Sequence, residues 1–503
     1  MKNTSRLSMF LLVALIIVLA SISKPPVPVS AGSTTHDPTW WDKYQFILNN
    51  GADSAPGSTN SVSLGSNVDV SNECGPQSET FITIDPNKTK VLAAGSNEIF
   101  RLPMRGYFST NGGTSWGGVD LPLPPPKTKS GIDFGSDPTL AFDSSGNLFY
   151  GYIVVYFAVG NGINGTEMAV AHSVDGGKTY PGVTFFGFEN GTNHFNDKPM
   201  ITADANASSP FRDNVYIAWD AASGGSVGGG VRLATSRDHG ATFSIARVDD
   251  PNGPGKSIGA SPAVGPGGEV YVAWNDFQAN AIVFNRSLDG GQTWGSPTII
   301  STKTIPFDIG IPAESFRRAL VYPSLGVDRS SGPHRGRIYC SWMDLTTANV
   351  TDIFIAFSDN GGATWTAPAA VTDQLSFAVD RFNHWMSVDP VTGDVNVAFY
   401  DTRNDTTGFR YQTDYYLAKS TDGSASFGAD ARVSTVSSNE HDCNGLFPCQ
   451  GINYGNQQGD YEGLVSFAGI SYPIWTDSRR QLDPASGCRR PYLMEEVFSA
   501  KVR

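Results

Sequence analysis

One octapeptide occurs six times in the chain, and this repeat limits the possible folds more than any other feature. The clearest copy, residues 287–294, reads SLDGGQTW, and successive copies start 51 to 71 residues apart. The other copies start at Ser109, Ser173, Ser236, Ser358 and Ser420. Asp or Asn at the third position can accept bonds from turn N–H groups, and Gly allows a positive φ. Six copies at a steady period predict a repeat architecture.

Each repeat unit contains four segments with the character of β-strands. The first is entered by a polar or small pair, such as Ser136-Asp137. The second is apolar and ends in an aromatic residue followed closely by Asp, as in IYCSWMD, which ends at Asp344. The third runs into the octapeptide, and the fourth leaves it. Four strands in each unit predict the blades of an all-β propeller.

The spacing of the octapeptides predicts the number of blades. The first and last copies are 311 residues apart over five intervals, about 62 residues a blade, so residues 79–503 hold 6.8 blades. We therefore expect seven blades, with six as the alternative. The last unit has three strand-like segments and no octapeptide. We expect residues 62–71 to pair with residues 497–502 and close the ring, which leaves no exposed sheet edge.

The N-terminal region predicts export. Lys2 and Arg6 precede an apolar run over residues 7–22, and residues 29–31, VSA, fit cleavage by signal peptidase. Residues 1–31 are therefore read as a signal peptide, with a retained membrane anchor as the alternative. Residues 32–70 are read as a linker or strap, and residues 71–503 as the propeller.

Composition narrows the range of partners. Without residues 1–31, the chain has 32 basic and 48 acidic residues. A surface this acidic argues against nucleic acid and anionic lipid as partners. We expect a secreted or cell-surface monomer that binds a glycan or glycoconjugate, with no cofactor, no metal and no membrane insertion once the signal is removed.

Five cysteines in an exported chain suggest two disulfide bridges and one free thiol. Cys443 and Cys449 flank a five-residue loop and form the obvious local pair. Cys340 lies inside an apolar strand and is expected to be a buried free thiol. The remaining two, Cys74 and Cys488, are expected to pair across the closure of the ring.

Candidate functional residues are expected on one face of the propeller. Because adjacent strands alternate in direction, first strands begin and second strands end on one face, and the octapeptides lie on the other. We therefore give the octapeptides a structural role only. The polar residues expected on the candidate face are Asp137, Asp197, Lys198, Asp220, Asp276, Asp344, His384, Asp401, Asp460, Tyr461, Glu462 and Asp477.

Arg101, Arg403 and Arg479 follow second strands of blades that are neighbours in a closed ring. Guanidinium groups that face one pocket can bind a carboxylate through bidentate, charge-assisted bonds. There is also a purely structural interpretation, in which an Asp at the end of a strand caps loop N–H groups and pairs with a neighbouring Arg. We favour it for the aspartates, because the Asp recurs in five blades. The insertion IPAESFRRAL adds Glu314, Arg317 and Arg318 to the same rim.

The octapeptide resembles the Asp box, or BNR repeat, of the sialidase-like β-propellers, and the resemblance covers nearly everything after the N-terminal region. Sialidases use an arginine triad for the substrate carboxylate, a Tyr nucleophile helped by a Glu, and an Asp acid/base. The resemblance makes Tyr461 in GDYEGL the candidate nucleophile, with Glu462 or Glu314 as its partner. FRLP, which contains Arg101, resembles the family's first-arginine motif. The acid/base candidates are Asp137, Asp197 and Asp460, and the substrate-binding candidates are Arg101, Arg318, Arg403, Arg479 and His384.

Three functional classes follow from these features. The first is an exported glycoside hydrolase that acts on acidic sugars in the manner of an exo-sialidase. The second is a non-catalytic propeller of the cell surface that binds glycans or proteins. The third is a polysaccharide lyase with His384 as its base. We favour the hydrolase.

Overall fold

The computed structural model describes residues 39–53, 60–127, 132–157, 163–191, 196–221, 229–253, 255–314, 317–441, 458–481 and 493–503. The chain divides into two units, residues 1–33 and 34–503, and every described residue belongs to the second. The expected signal peptide and three cysteines, Cys443, Cys449 and Cys488, lie outside the described residues, so the export and disulfide expectations stay predictions. Cys340 is buried and free, as predicted.

The described residues form an all-β propeller of seven blades, as the repeat spacing predicts. The chain begins with helix α1 (Thr39–Asn50) and strands β1 (Val62–Leu64) and β2 (Asn67–Asp69). Blade 1 contains β3 (Gln77–Ile84), β4 (Leu92–Glu98), β5 (Arg105–Ser109) and β6 (Gly117–Asp120). Blade 2 contains β7 (Phe134–Phe142), β8 (Leu148–Phe157), β9 (Ile163–Ser173) and β10 (Gly182–Asn190). Blade 3 contains β11 (Asp197–Ala203), β12 (Val215–Ala221), β13 (Gly230–Ser236) and β14 (Ser244–Arg247).

The next three blades repeat this order. Blade 4 contains β15 (Ser257–Val264), β16 (Val270–Asp276), β17 (Ala281–Ser287) and β18 (Thr298–Thr302). A two-stranded insertion, β19 (Asp308–Ile309) and β20 (Ala319–Leu320), precedes blade 5. Blade 5 contains β21 (Ser324–Val327), β22 (Ile338–Leu345), β23 (Thr351–Ser358) and β24 (Ala369–Ala370). Blade 6 contains β25 (Arg381–Val388), β26 (Val395–Asp401), β27 (Gln412–Ser420) and β28 (Ala431–Arg432), and β29 (Ser438–Asn439) also pairs with β27.

Blade 7 closes the ring by combining the two ends of the propeller. It contains β30 (Gly463–Phe467), β31 (Ile470–Gln481) and β32 (Leu493–Ala500), and its outer strands are β2 and β1. The register pairs Asn67 with Ala500 and Asp69 with Phe498. The Val70 N–H also donates to the Val497 carbonyl at 2.6 Å. The predicted ring closure is therefore confirmed.

Burial between blades explains why most residues of the second strands are apolar. Every residue of β8, LFYGYIVVYF, is buried, because neighbouring blades cover both faces of the sheet. The aromatic residue that precedes the strand-end Asp fills the space between blades. In four blades this residue is a tryptophan that is at most 2% exposed: Trp219, Trp274, Trp342 and Trp475.

All six octapeptides form the connection between the third and fourth strands of a blade. In the copy at Ser287, the Ser hydroxyl donates to Asp289 at 2.7 Å and accepts the N–H of Gly291 at 2.9 Å. Asp289 also accepts the N–H and the hydroxyl of Thr293 at 2.9 and 2.6 Å. The same pattern of serine bonds recurs in every copy. The repeat is thus a self-contained turn.

The segment read as a linker or strap contains an element that the sequence interpretation did not include. Helix α1 packs against blades 1 and 2 at the strand ends opposite the octapeptides, with Tyr44 stacked on Phe157 at 3.9 Å and Phe46 stacked on Phe100 at 3.7 Å between ring centroids. These aromatic contacts supply the burial that a 12-residue helix needs for stability. No helix in the described ranges has the length and apolar character needed to cross a membrane.

Candidate functional site

The innermost strands of five blades share a distortion near their first residues. In each, the register with the second strand shifts at this point, which is a β-bulge. One residue within each shift adopts a positive φ, which is strained for residues other than Gly. These residues, with φ in degrees, are Glu79 (54), Asp137 (59), Lys198 (52), Gly259 (75) and Asn383 (44). The bulges lie where the blades meet at the axis, on the face opposite the octapeptides.

Around these bulges the blades bring charged side chains together in what we call the central cluster. Its members come from blades 1, 2, 3 and 7 and from the insertion before blade 5. They are Glu79, Asp137, Asp197, Lys198, Arg317, Tyr322, Asp460 and Tyr461. The sequence-predicted candidates Asp137, Asp197, Asp460 and Tyr461 are therefore neighbours.

Two carboxyl groups of the cluster, Asp137 and Asp197, hydrogen-bond to each other. Burial raises the pKa of Asp197 well above its ordinary value, and the charge of Asp137 and this hydrogen bond raise it further. Backbone and side-chain bonds hold Asp137 in place, since its N–H donates to the Asn97 amide oxygen at 2.9 Å and its carboxylate accepts the Ser136 hydroxyl at 2.8 Å. The environment of the pair therefore favours the protonated form of Asp197.

Lys198 is a buried cation that interacts electrostatically with both carboxyl groups of this pair. Its Nζ lies 2.8 Å from the centroid of the Tyr461 ring and 4.5 Å from that of Tyr322, and it makes no hydrogen bond within the described residues. Burial lowers the pKa of Lys198 to about 7, although Glu79 and Asp137 oppose the shift. Aromatic faces thus replace water around this ammonium group.

Arg317 connects the insertion before blade 5 to the cluster. Its Nε donates to Asp460 at 2.7 Å and its Nη2 to Glu79 at 3.3 Å, so both carboxylates are ion-paired. The Asp460 N–H donates to Glu79 at 3.2 Å. Glu314, from the same insertion, is fully buried, and neither of its carboxyl oxygens has a hydrogen-bond partner among the described residues. Burial raises its pKa well above the ordinary value, and the charge of Glu440 adds to this effect.

The Tyr461 hydroxyl bonds to a backbone carbonyl and not to a carboxyl group of the cluster. The hydroxyl donates to the Pro138 carbonyl at 3.1 Å. Burial raises the pKa of Tyr461 well above its usual range, and the negative charge of Asp137 adds to the shift. The environment of this phenol therefore opposes the phenolate form that a Tyr nucleophile requires.

The structure does not bring the three predicted substrate-binding arginines together. Arg101 is 1% exposed and pairs with Asp120 and with Glu73, the latter at 3.5 Å. Within the described residues it shares no partner with Arg403 or Arg479. Its motif, FRLP, follows β4 and belongs to an ion-pair network formed by blade 1 and the segment before it.

Arg403 and Arg479 each pair with the Asp two residues before them. Arg403 Nη2 lies 2.7 Å from Asp401, and Arg479 Nη2 lies 2.5 Å from Asp477. The two aspartates also accept the backbone N–H groups of these arginines, at 2.6 and 3.0 Å. This is the arrangement that the structural interpretation of the strand-end aspartates predicts. Arg318 is likewise occupied, because its Nε donates to Asp308 at 2.9 Å.

Glu462 and His384 lie between blades and outside the cluster's contacts. Glu462 accepts the hydroxyl of Thr80 in blade 1, the hydroxyl of Tyr400 in blade 6 at 2.7 Å and the N–H of Thr476 in blade 7 at 3.0 Å. His384 Nε2 lies 2.9 Å from the Ser341 hydroxyl. Burial lowers the pKa of His384 to about 4, so the ring is neutral at physiological pH.

Sequence reasoning did not single out Glu79 or Tyr322, and it placed Arg317 only on the rim. A signal for Glu79 does exist, because Ser78-Glu79 occupies the place in blade 1 that Ser136-Asp137 occupies in blade 2. Arg317 and Tyr322 come from an insertion that has no counterpart in other blades, so the repeat could not predict them. No group of three or more His, Cys, Asp or Glu side chains in the described ranges is arranged to hold a metal ion.

No protein-family model matches the chain, and no curated protein matches it. Several solved structures align with part of it. A Hadza microbial sialidase covers 64% of this chain and 63% of its own length, just under two thirds, at 15% identity and a TM-score of 0.46. The intramolecular trans-sialidase from Ruminococcus gnavus covers 63% of this chain and 89% of its own, at 12% identity and 0.43. The alignment with an α-L-arabinofuranosidase from Fusarium graminearum covers 73% of this chain and 93% of the arabinofuranosidase, at 12% identity and a TM-score of 0.42. These likenesses concern the fold, so the site has to be argued from its own residues.

Proposed function

We propose that this protein is a glycoside hydrolase whose chemistry takes place at the central cluster. The observation that supports it is the carboxyl pair Asp137–Asp197, whose environment raises the pKa of Asp197, beside a third carboxyl group, Asp460, that is ion-paired with Arg317. Most glycosidases need one carboxylic acid to protonate the leaving oxygen and one carboxylate to act on the sugar or on water. Environments that separate the protonation states of neighbouring carboxyl groups identify these roles.

Asp197 is the best general acid of the cluster. The residue is partly exposed, whereas Asp137 is buried, so we assign the role of proton donor to Asp197. Repulsion by Asp137 keeps the proton on the pair until it is transferred to the glycosidic oxygen. Asp460, held by Arg317, then serves as the carboxylate that attacks the anomeric carbon or activates water.

The geometry supports a neutral sugar better than an acidic one. The preference for acidic sugars rested on Arg101, Arg403 and Arg479, and each of these is neutralised by its own carboxylates. In the central cluster, four carboxyl groups face two cations, so a substrate carboxylate meets repulsion there. We expect the enzyme to act outside the cell, on the basis of residues 1–31.

A second candidate function is non-catalytic glycan binding, and the geometry of Tyr461 favours it. The phenol is neutral, buried and bonded to a backbone carbonyl, so it lacks the activation that the sialidase mechanism gives its tyrosine. Aromatic rings next to polar groups can bind a sugar without catalysing its cleavage. Replacement of Tyr461 by Phe is expected to leave turnover of a hydrolase of this kind nearly unchanged, because the proposed acid and carboxylate remain.

A screen against fluorogenic neutral and acidic glycosides tests the proposal. Asp197→Asn is expected to lower kcat about 10²- to 10⁴-fold on any glycoside that is cleaved, because the proton donor is lost. The matched control is Asp276→Asn, since Asp276 ends a second strand on the same face and only accepts a loop N–H, that of Ala279 at 2.7 Å. Glycan binding without turnover of any glycoside would support the binding function. Equal activity of both variants would refute the role of Asp197.

A further inference from the structure

The central channel contains a cavity at the end opposite the cluster. It has a volume of about 550 Å³, a size typical of small-molecule sites. Its walls are the later residues of innermost strands from blades 1, 2, 3, 6 and 7. Exposed residues of the connections after those strands, Ala207, Ser208 and Val391, stand at its mouth. The cavity therefore opens on the octapeptide face.

Buried apolar side chains form part of the wall of this cavity. Leu140, Ile201, Val388 and Leu464 are buried side chains that line it, and Phe81 forms part of its floor. Phe81 also contacts Trp385 edge-on at 5.4 Å between ring centroids. Trp385 in turn lies 6.4 Å from Tyr461, so an aromatic layer stands between the cavity and the central cluster. The two sites are distinct.

One charged residue, Arg329, also lines the cavity. It belongs to the connection between β21 and β22, and its side chain makes no hydrogen bond or ion pair with any described residue. Burial lowers its pKa, and the charge of Asp204 opposes this shift. Asp204 itself accepts bonds from the Asn206 N–H at 3.0 Å and from the Ser209 hydroxyl. Arg329 thus lines the cavity, and its guanidinium has no carboxylate partner among the described residues.

A second arginine adds positive charge at the mouth. Arg335 also lines the cavity, and its Nη1 donates to the carbonyls of Arg329 and Ser330 at 2.6 and 2.9 Å. These bonds hold the Arg329 backbone in place. A partly buried guanidinium beside aliphatic side chains matches a ligand that carries one carboxylate on an apolar body.

We propose that this cavity binds a small apolar carboxylate, with the carboxylate on Arg329 and the aliphatic or aromatic part against the buried wall. The proposal does not depend on the hydrolase function, because the two sites lie at opposite ends of the channel and share no residue. It also accounts for an arginine that no ion pair within the described part of the propeller explains.

Isothermal titration with octanoate tests the proposal, with 1-octanol and octylammonium as neutral and cationic probes. The protein is expected to bind octanoate and to bind both other probes at least tenfold more weakly. Arg329→Gln is expected to weaken octanoate binding about 10- to 100-fold and to leave 1-octanol binding unchanged, because only the charge-assisted bonds are removed. The control is Arg237→Gln, since Arg237 is an exposed arginine within an octapeptide on the same face.

A second variant tests the proposal independently, in case Arg329→Gln does not fold. Val391 is 52% exposed at the mouth, so Val391→Glu adds a negative charge without burying it. It is expected to weaken octanoate binding several-fold and to spare 1-octanol. Three results would each overturn the proposal: absent octanoate binding, equal binding of octanoate and 1-octanol, or octanoate binding unchanged by both Arg329→Gln and Val391→Glu.

Discussion

Burial changes the chemistry of individual side chains throughout this propeller, and Glu462 shows how. The sequence made it a candidate partner for a catalytic tyrosine, but its carboxylate joins blades 1, 6 and 7 through Thr80, Tyr400 and Thr476. Burial raises the pKa of Glu462 to about 7, although the hydrogen bonds that it accepts oppose the shift. Its charge state is therefore linked to the stability of the ring.

The sign of this linkage follows from the raised pKa. Between about pH 4.3, the ordinary value for Glu, and pH 7, the folded protein binds a proton that the unfolded chain does not. The stabilisation is complete below the ordinary pKa and is lost as the pH rises through about 7. One such group changes the free energy of unfolding by up to about 1.4 kcal/mol per pH unit.

Replacement of Glu462 by Gln is expected to remove this pH dependence, because the amide imitates the protonated acid at every pH. Urea unfolding at pH 5, 6, 7 and 8 measures it: the free energy of unfolding should fall less steeply with pH in Glu462→Gln than in the parent protein. Glu269→Gln is the control, since Glu269 is partly exposed and accepts only a turn N–H, that of Gly267 at 2.9 Å. Parallel profiles for parent and Glu462→Gln would contradict the expectation.

At the scale of the element, the octapeptide turn can be tested at the copy that departs from the pattern. Each copy has two successive residues with positive φ, and five copies place Gly second. The last copy places Ser424 there, with a φ of 65° and a buried hydroxyl that has no partner in the described ranges. An L-residue in this conformation is strained by about 1–2 kcal/mol, which Gly avoids.

Replacement of Ser424 by Gly is therefore expected to stabilise the protein by about 0.5–1 kcal/mol, after allowance for the greater entropy of Gly in the unfolded chain. Thermal and urea unfolding measure the gain. Ser426→Gly is the matched control in the same turn, and it should destabilise, because the Ser426 hydroxyl donates to Asp422 at 2.6 Å. A loss of stability in Ser424→Gly would contradict the expectation that Gly relieves strain at this position.

The elements that could be predicted from the sequence are those specified by local chemistry. The octapeptides and the strands around them were predicted because Gly, Asp and an aromatic residue at fixed spacing define a turn on their own. Helix α1 was not predicted, because its 12 residues, TWWDKYQFILNN, gain their stability from aromatic contacts with distant strands. The bulges were missed for a related reason, since they form where innermost strands crowd together at the axis.

The candidate site was predicted only in part, because a motif locates a residue on a face but does not name its partner. Asp137, Asp460 and Tyr461 were placed together correctly from the strand order alone. Arg101 was assigned to a shared carboxylate pocket, yet Asp120 and Glu73 bind it, and Glu73 precedes the first blade. Ion-pair partners of this kind come from segments distant in sequence, and repeat spacing carries no information about them.

At the scale of the whole molecule, the ring depends on strands β2 and β32, which come from opposite ends of the propeller. Val70→Pro should open this closure, because proline cannot donate the bond from Val70 to Val497. We expect Val70→Pro to lower the free energy of unfolding by about 1–3 kcal/mol more than Val70→Ala does. Val70→Ala is the control because it keeps the N–H and removes most of the side chain. Urea unfolding followed by fluorescence and circular dichroism measures both the loss and the cooperativity. If the two variants were equally stable, the closure would contribute nothing.

The pH dependence of kcat/KM, measured for the parent protein and for Asp137→Asn on the best glycoside substrate, tests the central claim most directly. The claim is that Asp137 and Asp197 share a proton and that Asp197 donates it during glycoside hydrolysis. Activity should fall as the pH rises through the raised pKa of Asp197, because the acid is then lost. Asp137→Asn removes the neighbouring charge, so this fall should begin at a lower pH. A fall at the same pH in both proteins would contradict the claim.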